Sequence, residues 1–145
     1  MGRSLTPAAP APAGYSGTPL PKKLGVRAGS RVVLLGAPEG FRDALGELPA
    51  GARLAARGAG DVAVLFARSR SDLERRLPAA ERAMGAGGRL WIAWPKQASG
   101  VATDLREGAV REAGLAAGLV DYKVAAIDAT WAGLCFARRK VSTKS

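Results

Sequence analysis

RVVLLGAPEGF, residues 31–41, decides the architecture. Behind Arg31 the apolar run Val32-Val33-Leu34-Leu35 has no polar interruption, and it stops at Gly36-Ala37-Pro38-Glu39-Gly40. A strand with one wet face alternates apolar and polar residues. A continuous run is expected of a strand covered on both faces, as in a parallel sheet layered by helices. Glycine and proline then break the strand, and a short helix is predicted over Phe41 to Leu48.

The same signature recurs twice, as DVAVLFA (61–67) and as the strand from Arg89 to Trp94. ARLAAR (52–57) is a weaker strand with alternating Arg positions. Between the two strong strands, SRSDLERRLPAAERAMG carries capping-box spacing at Ser71 and Glu74 and a helical stripe of Leu73, Leu77, Ala80 and Met84. Pro78 is predicted to kink or split that helix, and Gly85 to Gly88 to close it. WIAWPKQASGVATDL (91–105) ends the next strand at Trp94 and runs through a long polar loop. A helix is predicted from there, capped by Thr103, from Asp104 to about Gly118, with Leu105, Ala109, Ala113 and Ala116 inward. Two apolar runs close the chain, Tyr122 to Ile127 and Trp131 to Ala137. The short turn Asp128-Ala129-Thr130 makes them an antiparallel hairpin. The order β-α-(β)-β-α-β-α-β-β specifies an α/β, Rossmann-like fold: a mostly parallel sheet, helices on both faces, and a C-terminal antiparallel hairpin.

The 145 residues fit one domain. We expect a Pro/Ala-rich leader at 1–14, an α/β domain at 15–140 and a basic tail at 141–145. Gly and Pro argue against regular structure between 15 and 30, where Tyr15, Leu20, Leu24 and Val26 could dock on the domain. With no histidine and one cysteine, Cys135, the chain excludes disulfide frameworks, His-ligated zinc and His-assisted nucleophilic catalysis within itself. No metal site is expected, and Cys135 reads as a reduced core residue of a cytoplasmic protein. No segment approaches the ~20 apolar residues of a membrane span, so no membrane partner is expected. Net charge is +10, from 22 Lys+Arg against 12 Asp+Glu. That balance suits anionic partners, but no basic stripe interleaved with aromatics marks a nucleic-acid surface.

Several phrases carry a resemblance. GYSGTPLPKKLG, LLGAPEGF, WPKQASGVATDL, DYKVAAID and TWAGL resemble an uncharacterised bacterial family carried as a domain of unknown function. More distantly, LGVRAGSRVVLLGAPEG, DVAVLFA and the final hairpin resemble class I S-adenosylmethionine-dependent methyltransferases. The second resemblance implies a truncated methyltransferase-type sheet, with S-adenosylmethionine as the cofactor it would bring. The chain departs from that pattern. Ala37 stands where the cofactor loop usually has a glycine, and Pro38 has no amide proton to offer. ARLAARGAG contains no counterpart of the usual ribose-binding acid, and Phe41 to Asp61 is short for two strands and a helix. We therefore expect no bound cofactor.

Ligands of open α/β sheets bind beyond the carboxyl ends of the strands. That edge gathers Glu39 and Phe41 after the first strand, Arg70 after the middle one, and Lys96 and Ser99 after the third. Lys22-Lys23 is a further candidate clamp. The expected function is a non-catalytic or regulatory binding module for a small anionic ligand or an acidic partner surface. The alternatives are a divergent methyltransferase, then weak nucleic-acid binding.

Overall fold

The computed structural model of the chain describes residues 19–55 and 57–138. Tyr15, the expected leader and the expected tail lie outside them. Among these residues ten α-helices and strands follow in order: α1 (Leu20–Leu24), β1 (Arg31–Leu35), α2 (Phe41–Leu45), β2 (Arg53–Ala55), β3 (Gly60–Phe66), α3 (Arg70–Ala83), β4 (Met84–Pro95), α4 (Glu107–Ala116), β5 (Leu119–Ala126) and β6 (Trp131–Arg138), with a 3-10 turn at Gln97–Ser99. Six strands form one sheet in the order β2-β1-β3-β4-β6-β5. The first four are parallel, and β6 is antiparallel to both of its neighbours, as the hairpin requires.

The apolar runs are buried on both faces. Along β3, Val62, Val64 and Phe66 enter one core while Ala63 and Leu65 enter the other. The first core is closed by α1 and α2 through Leu20, Leu24, Phe41 and Leu45. The second is closed by α3 and α4 through Leu73, Leu77, Ala80, Ala83 and Val110. Segment 15–30, expected to be irregular, contains α1, whose Leu20 and Leu24 dock together with Val26.

Helix α2 ends at Leu45 rather than Leu48, and β5 begins at Leu119 rather than Tyr122. Four further differences from the expectation have a physical reason. The α3 cap is Ser69, not Ser71. Ser69 Oγ accepts the Asp72 N–H at 3.1 Å while Asp72 Oδ2 accepts the Arg68 N–H at 3.0 Å, a reciprocal pairing placed directly after β3. Pro78 neither splits nor ends α3; it stands on the exposed side, where water can take the carbonyl it leaves unbonded. Gly85 to Gly88 belong to β4, and a Cβ on Gly88 would lie 2.8 Å from the Gly60 carbonyl. Helix α4 begins at Glu107, three residues later than expected at Asp104. Thr103 Oγ1 accepts the Leu105 N–H in a local turn, and Asp104 Oδ1 accepts the Arg70 N–H at 2.8 Å. Asp104 thus caps α3 rather than its own helix. Leu105 faces inward as expected and Ala109 and Ala113 pack, partly buried, against the same core; Val110 and Gly114 are buried as well, while Ala116 is exposed.

Only residues 56–59 connect β2 to β3, although β1 lies between them. Parallel crossovers ordinarily take at least about 10–12 residues. The short route brings backbones together: a Cβ on Gly60 would lie 2.7 Å from the Arg31 carbonyl and 2.9 Å from Val33 Cγ2. No room remains for a further strand and helix, and β2 forms the sheet's edge.

Helix α4 approaches β6 closely at Gly114, where a Cβ would sit 2.1 Å from the ring of the fully buried Phe136. Gly114→Ala should therefore destabilise the fold by about 1–3 kcal/mol through overpacking, despite alanine's better helix propensity. A thermal melt at or above the wild-type midpoint would contradict this packing.

Candidate functional site

The carboxyl ends of β1 and β3 meet the start of β6, because β6 runs antiparallel to β4. There the chain leaves a cavity of about 500 Å³ lined by Glu39, Phe41, Arg68, Val101, Asp128 and Trp131, among others. Two rings of its wall, Phe41 and Trp131, are joined behind it by the fully buried Phe66. The Phe41 ring stands edge-on to Phe66 at 4.7 Å, and Phe66 edge-on to Trp131 at 5.1 Å. The Arg68 guanidinium carbon lies 5.2 Å from the Trp131 ring centroid, and Nη1 donates to the Gly36 carbonyl at 3.3 Å. A guanidinium carries five N–H donors, so most remain for a ligand. Asp128 Oδ1 accepts the N–H groups of Thr130 and Trp131, both at 2.8 Å, which fixes the hairpin turn beside the cavity.

The expected residues divide among several places. Glu39 is exposed at the cavity's rim, and Phe41 is buried in its wall. Arg70 does not join them. It faces the opposite side of the sheet, in a hollow with Leu73, Glu74 and Leu105, because the Ser69 cap turns α3 that way. Lys96 and Ser99 do not line the cavity. The Ser99 hydroxyl is consumed in a 3-10 turn, donating to the Lys96 carbonyl at 2.6 Å and accepting the Val101 N–H at 3.2 Å. That turn presents Val101 to the cavity. Lys22 is exposed on α1. Lys23 is buried and donates to the Ala126 carbonyl at 2.8 Å, while its own carbonyl accepts Lys123 Nζ. It pins α1 to β5.

Arg68 and Trp131 were passed over in the sequence, although signals existed. Arg68 follows DVAVLFA directly, and an antiparallel last strand must begin at the edge where the parallel strands end. Behind Arg68, Asp72 organises a second group of cations. Its Oδ1 accepts from Arg75 Nη2 at 2.6 Å and Arg76 Nε at 2.7 Å. The Arg76 guanidinium then lies against Gly36, where a Cβ would come within 2.7 Å of Nη1. Gly36 has φ +71°, and Phe41 N–H closes the following turn on the Pro38 carbonyl at 3.1 Å.

The sequence of residues 39–140 matches the profile of DUF3052, described as a protein of unknown function. The chain belongs to this family. The DUF3052 match takes in WPKQASGVATDL, DYKVAAID and TWAGL, while GYSGTPLPKKLG lies before it. No curated protein is similar to the chain in sequence. Among solved structures, a ribosomal protein L11 methylase from Lactobacillus delbrueckii subsp. bulgaricus is similar with a TM-score of 0.59 at 13% identity, covering 83% of this chain and 75% of that one. A TehB-like SAM-dependent methyltransferase from Corynebacterium glutamicum gives 0.53 at 14%, covering 88% and 91%. At these identities the likeness shows the fold alone: this DUF3052 chain has a methyltransferase-like Rossmann sheet. Among the described residues no helix is long and apolar enough to cross a membrane, and no group of three or more His, Cys, Asp or Glu could hold a metal ion.

Burial pushes the Asp72 carboxyl up, but the Arg68 N–H and the Arg76 and Arg75 guanidiniums outweigh it and hold the group below the usual carboxylate range. A depressed folded value stabilises the protein above the unfolded value, near 4, and the contribution disappears as pH falls through the lower folded value. Asp72→Asn should cost about 2 kcal/mol at pH 7. The gap from wild type, measured by urea unfolding, should close under strongly acid conditions; a gap that persists there would show that charge is not what Asp72 contributes.

Proposed function

We propose that this DUF3052 chain is a binding module whose strand-end cavity takes a small molecule with an anionic group and an apolar or aromatic body. The observation that carries this reading is Arg68, a cation with spare donors poised on Trp131 at the mouth of an aromatic-walled cavity. An anion on Arg68 would form charge-assisted hydrogen bonds worth about 1.5–3 kcal/mol, and its apolar body would rest against Phe41, Val101 and Trp131. Glu39 at the rim disfavours a second negative charge there and so selects for small monoanions. An acidic side chain of a protein partner offers the same chemistry on a larger body.

The alternative is a divergent methyltransferase, favoured by the fold. The residues present do not fit S-adenosylmethionine on three counts. The turn after β1 closes on itself through Pro38, which has no N–H of its own. The stretch 52–60, from β2 to the start of β3, supplies no acid for a ribose. Arg68 and Arg76 crowd Gly36 with positive charge, the wrong sign for a sulfonium.

Isothermal calorimetry and thermal shift with benzoate, indole-3-acetate, S-adenosylmethionine and S-adenosylhomocysteine separate the two readings. The aryl carboxylates should bind and the cofactor pair should be silent at millimolar concentration. Arg68→Ala should weaken carboxylate binding about tenfold, the equivalent of 1.4 kcal/mol, without lowering the apo melting point by more than a few degrees. Glu39→Gln should leave it equal or tighter. Binding of S-adenosylmethionine alone would replace this reading with the enzymatic one, and carboxylate binding indifferent to Arg68 would remove the cavity.

A further inference from the structure

The opposite edge of the sheet carries a second cleft, of about 470 Å³. One wall is the loop from Leu24 to Ser30 that joins α1 to β1, and the other is Arg89 on β4 with Tyr122 on β5. The loop is held in place. Trp91 Nε1 donates to the Leu24 carbonyl at 2.9 Å, and Arg27 N–H donates to Ser30 Oγ at 2.9 Å.

Tyr122 is the most exposed large apolar side chain among the described residues, at 55%, yet it is fixed. Arg89 Nε donates to its hydroxyl at 2.7 Å, and the guanidinium carbon lies 5.2 Å from the ring centroid. Arg89 Nη1 is itself tied to the Gly87 carbonyl at 3.0 Å. Tyr122 occupies a bulge: the β5–β6 register steps from Asp121 to Lys123 around it, which turns its side chain across β6 toward Arg89. Although the ring is exposed, desolvation at its hydroxyl end and the neighbouring Cys135 thiol hold the phenol above its ordinary value, against the pull of Arg89.

Four groups of the cleft have capacity to spare. The Arg27 guanidinium has no hydrogen-bond or ion-pair partner among the described residues, and Arg89 keeps donors beyond its two bonds. Ser30 is 7% exposed; its Oγ accepts from Arg27, which leaves the hydroxyl proton free to donate. The carboxylate, Asp61, spends Oδ2 on the Arg31 N–H at 2.8 Å and retains Oδ1 as an acceptor.

We propose that this cleft is a nucleotide site, in which a base stacks on Tyr122 and a phosphate is held by Arg27 and Arg89. An aromatic plane, guanidiniums and a carboxylate suit base, phosphate and ribose hydroxyls in turn. The same chemistry could come from a free nucleotide or from one residue of a single strand, and the chain's net charge of +10 favours either. The site lies across the sheet from Arg68, so it stands or falls independently of the strand-end cavity.

The test is calorimetry on the full chain with AMP, adenosine, inorganic phosphate and a short oligothymidylate. AMP should bind more tightly than adenosine or phosphate alone. Arg27→Ala, on an exposed loop, and Tyr122→Ala should each weaken AMP about tenfold, the scale of one stacked base or one lost charge contact, while Arg68→Ala should not. Oligothymidylate binding more tightly per residue than AMP, with a steep loss in salt, would assign the source as a single strand; equal or weaker binding assigns it as the free nucleotide. Silence from AMP and the oligonucleotide at millimolar concentration would overturn the proposal. So would phosphate binding as tightly as AMP, or AMP binding indifferent to both Arg27 and Tyr122.

Discussion

The molecule depends on β3 being apolar on both faces. Val62, Val64 and Phe66 alternate with Ala63 and Leu65, and every one is at most 2% exposed. A strand of that kind has no stable place at a surface. It must lie inside a sheet, and the sheet must be covered twice. The two covers are unequal. One side has two helices of 14 and 10 residues, α3 and α4; the other has two of five residues each, α1 and α2. Five residues make little more than one turn, too few to hold themselves. Helix α1 is therefore tied down by side chains reaching backbone carbonyls, Trp91 to Leu24 and Lys23 to Ala126, while α2 is held by burying Phe41 and Leu45. That is why Lys23, on its face a solvated lysine, is buried.

The strands and their order of appearance were legible in the sequence, because an apolar run writes burial directly into composition. Val32 to Leu35, Val62 to Phe66 and Leu90 to Trp94 could be little else, and Asp128-Ala129-Thr130 could only join neighbours. Helix starts were less legible. Asp104 carries the signature of a first-turn acid, yet its carboxylate serves α3, whose start is 34 residues away along the chain. Local sequence cannot show which helix a carboxylate caps.

The site was legible at the level of an edge and not at the level of side chains. Arg68 and Arg70 stand two residues apart, but the Ser69 cap sends them to opposite faces of the sheet, and only one meets Glu39 and Phe41. Ser99 resembled a ligand hydroxyl and is spent within its own turn. Trp131 begins a strand rather than ending one, so its place at this edge follows only from the antiparallel direction of β6. The fold is methyltransferase-like, and the short connection from β2 to β3 leaves no room between them for a further strand and helix. Arg68 and Arg76 lie at the part of that edge where β1 ends, against Gly36.

The position of β6 has a bearing on how the sheet is completed during synthesis. Strand β5 emerges first, but among the described residues it pairs only with β6, which inserts between it and β4. Until β6 arrives, Leu90, Trp91 and Ile92 border an open edge, and Tyr122 has no neighbouring strand to lie across. The last strand thus acts as a keystone: one insertion closes the central sheet, seats β5 and brings Trp131 to Arg68. Completion of both clefts therefore waits on a single late event.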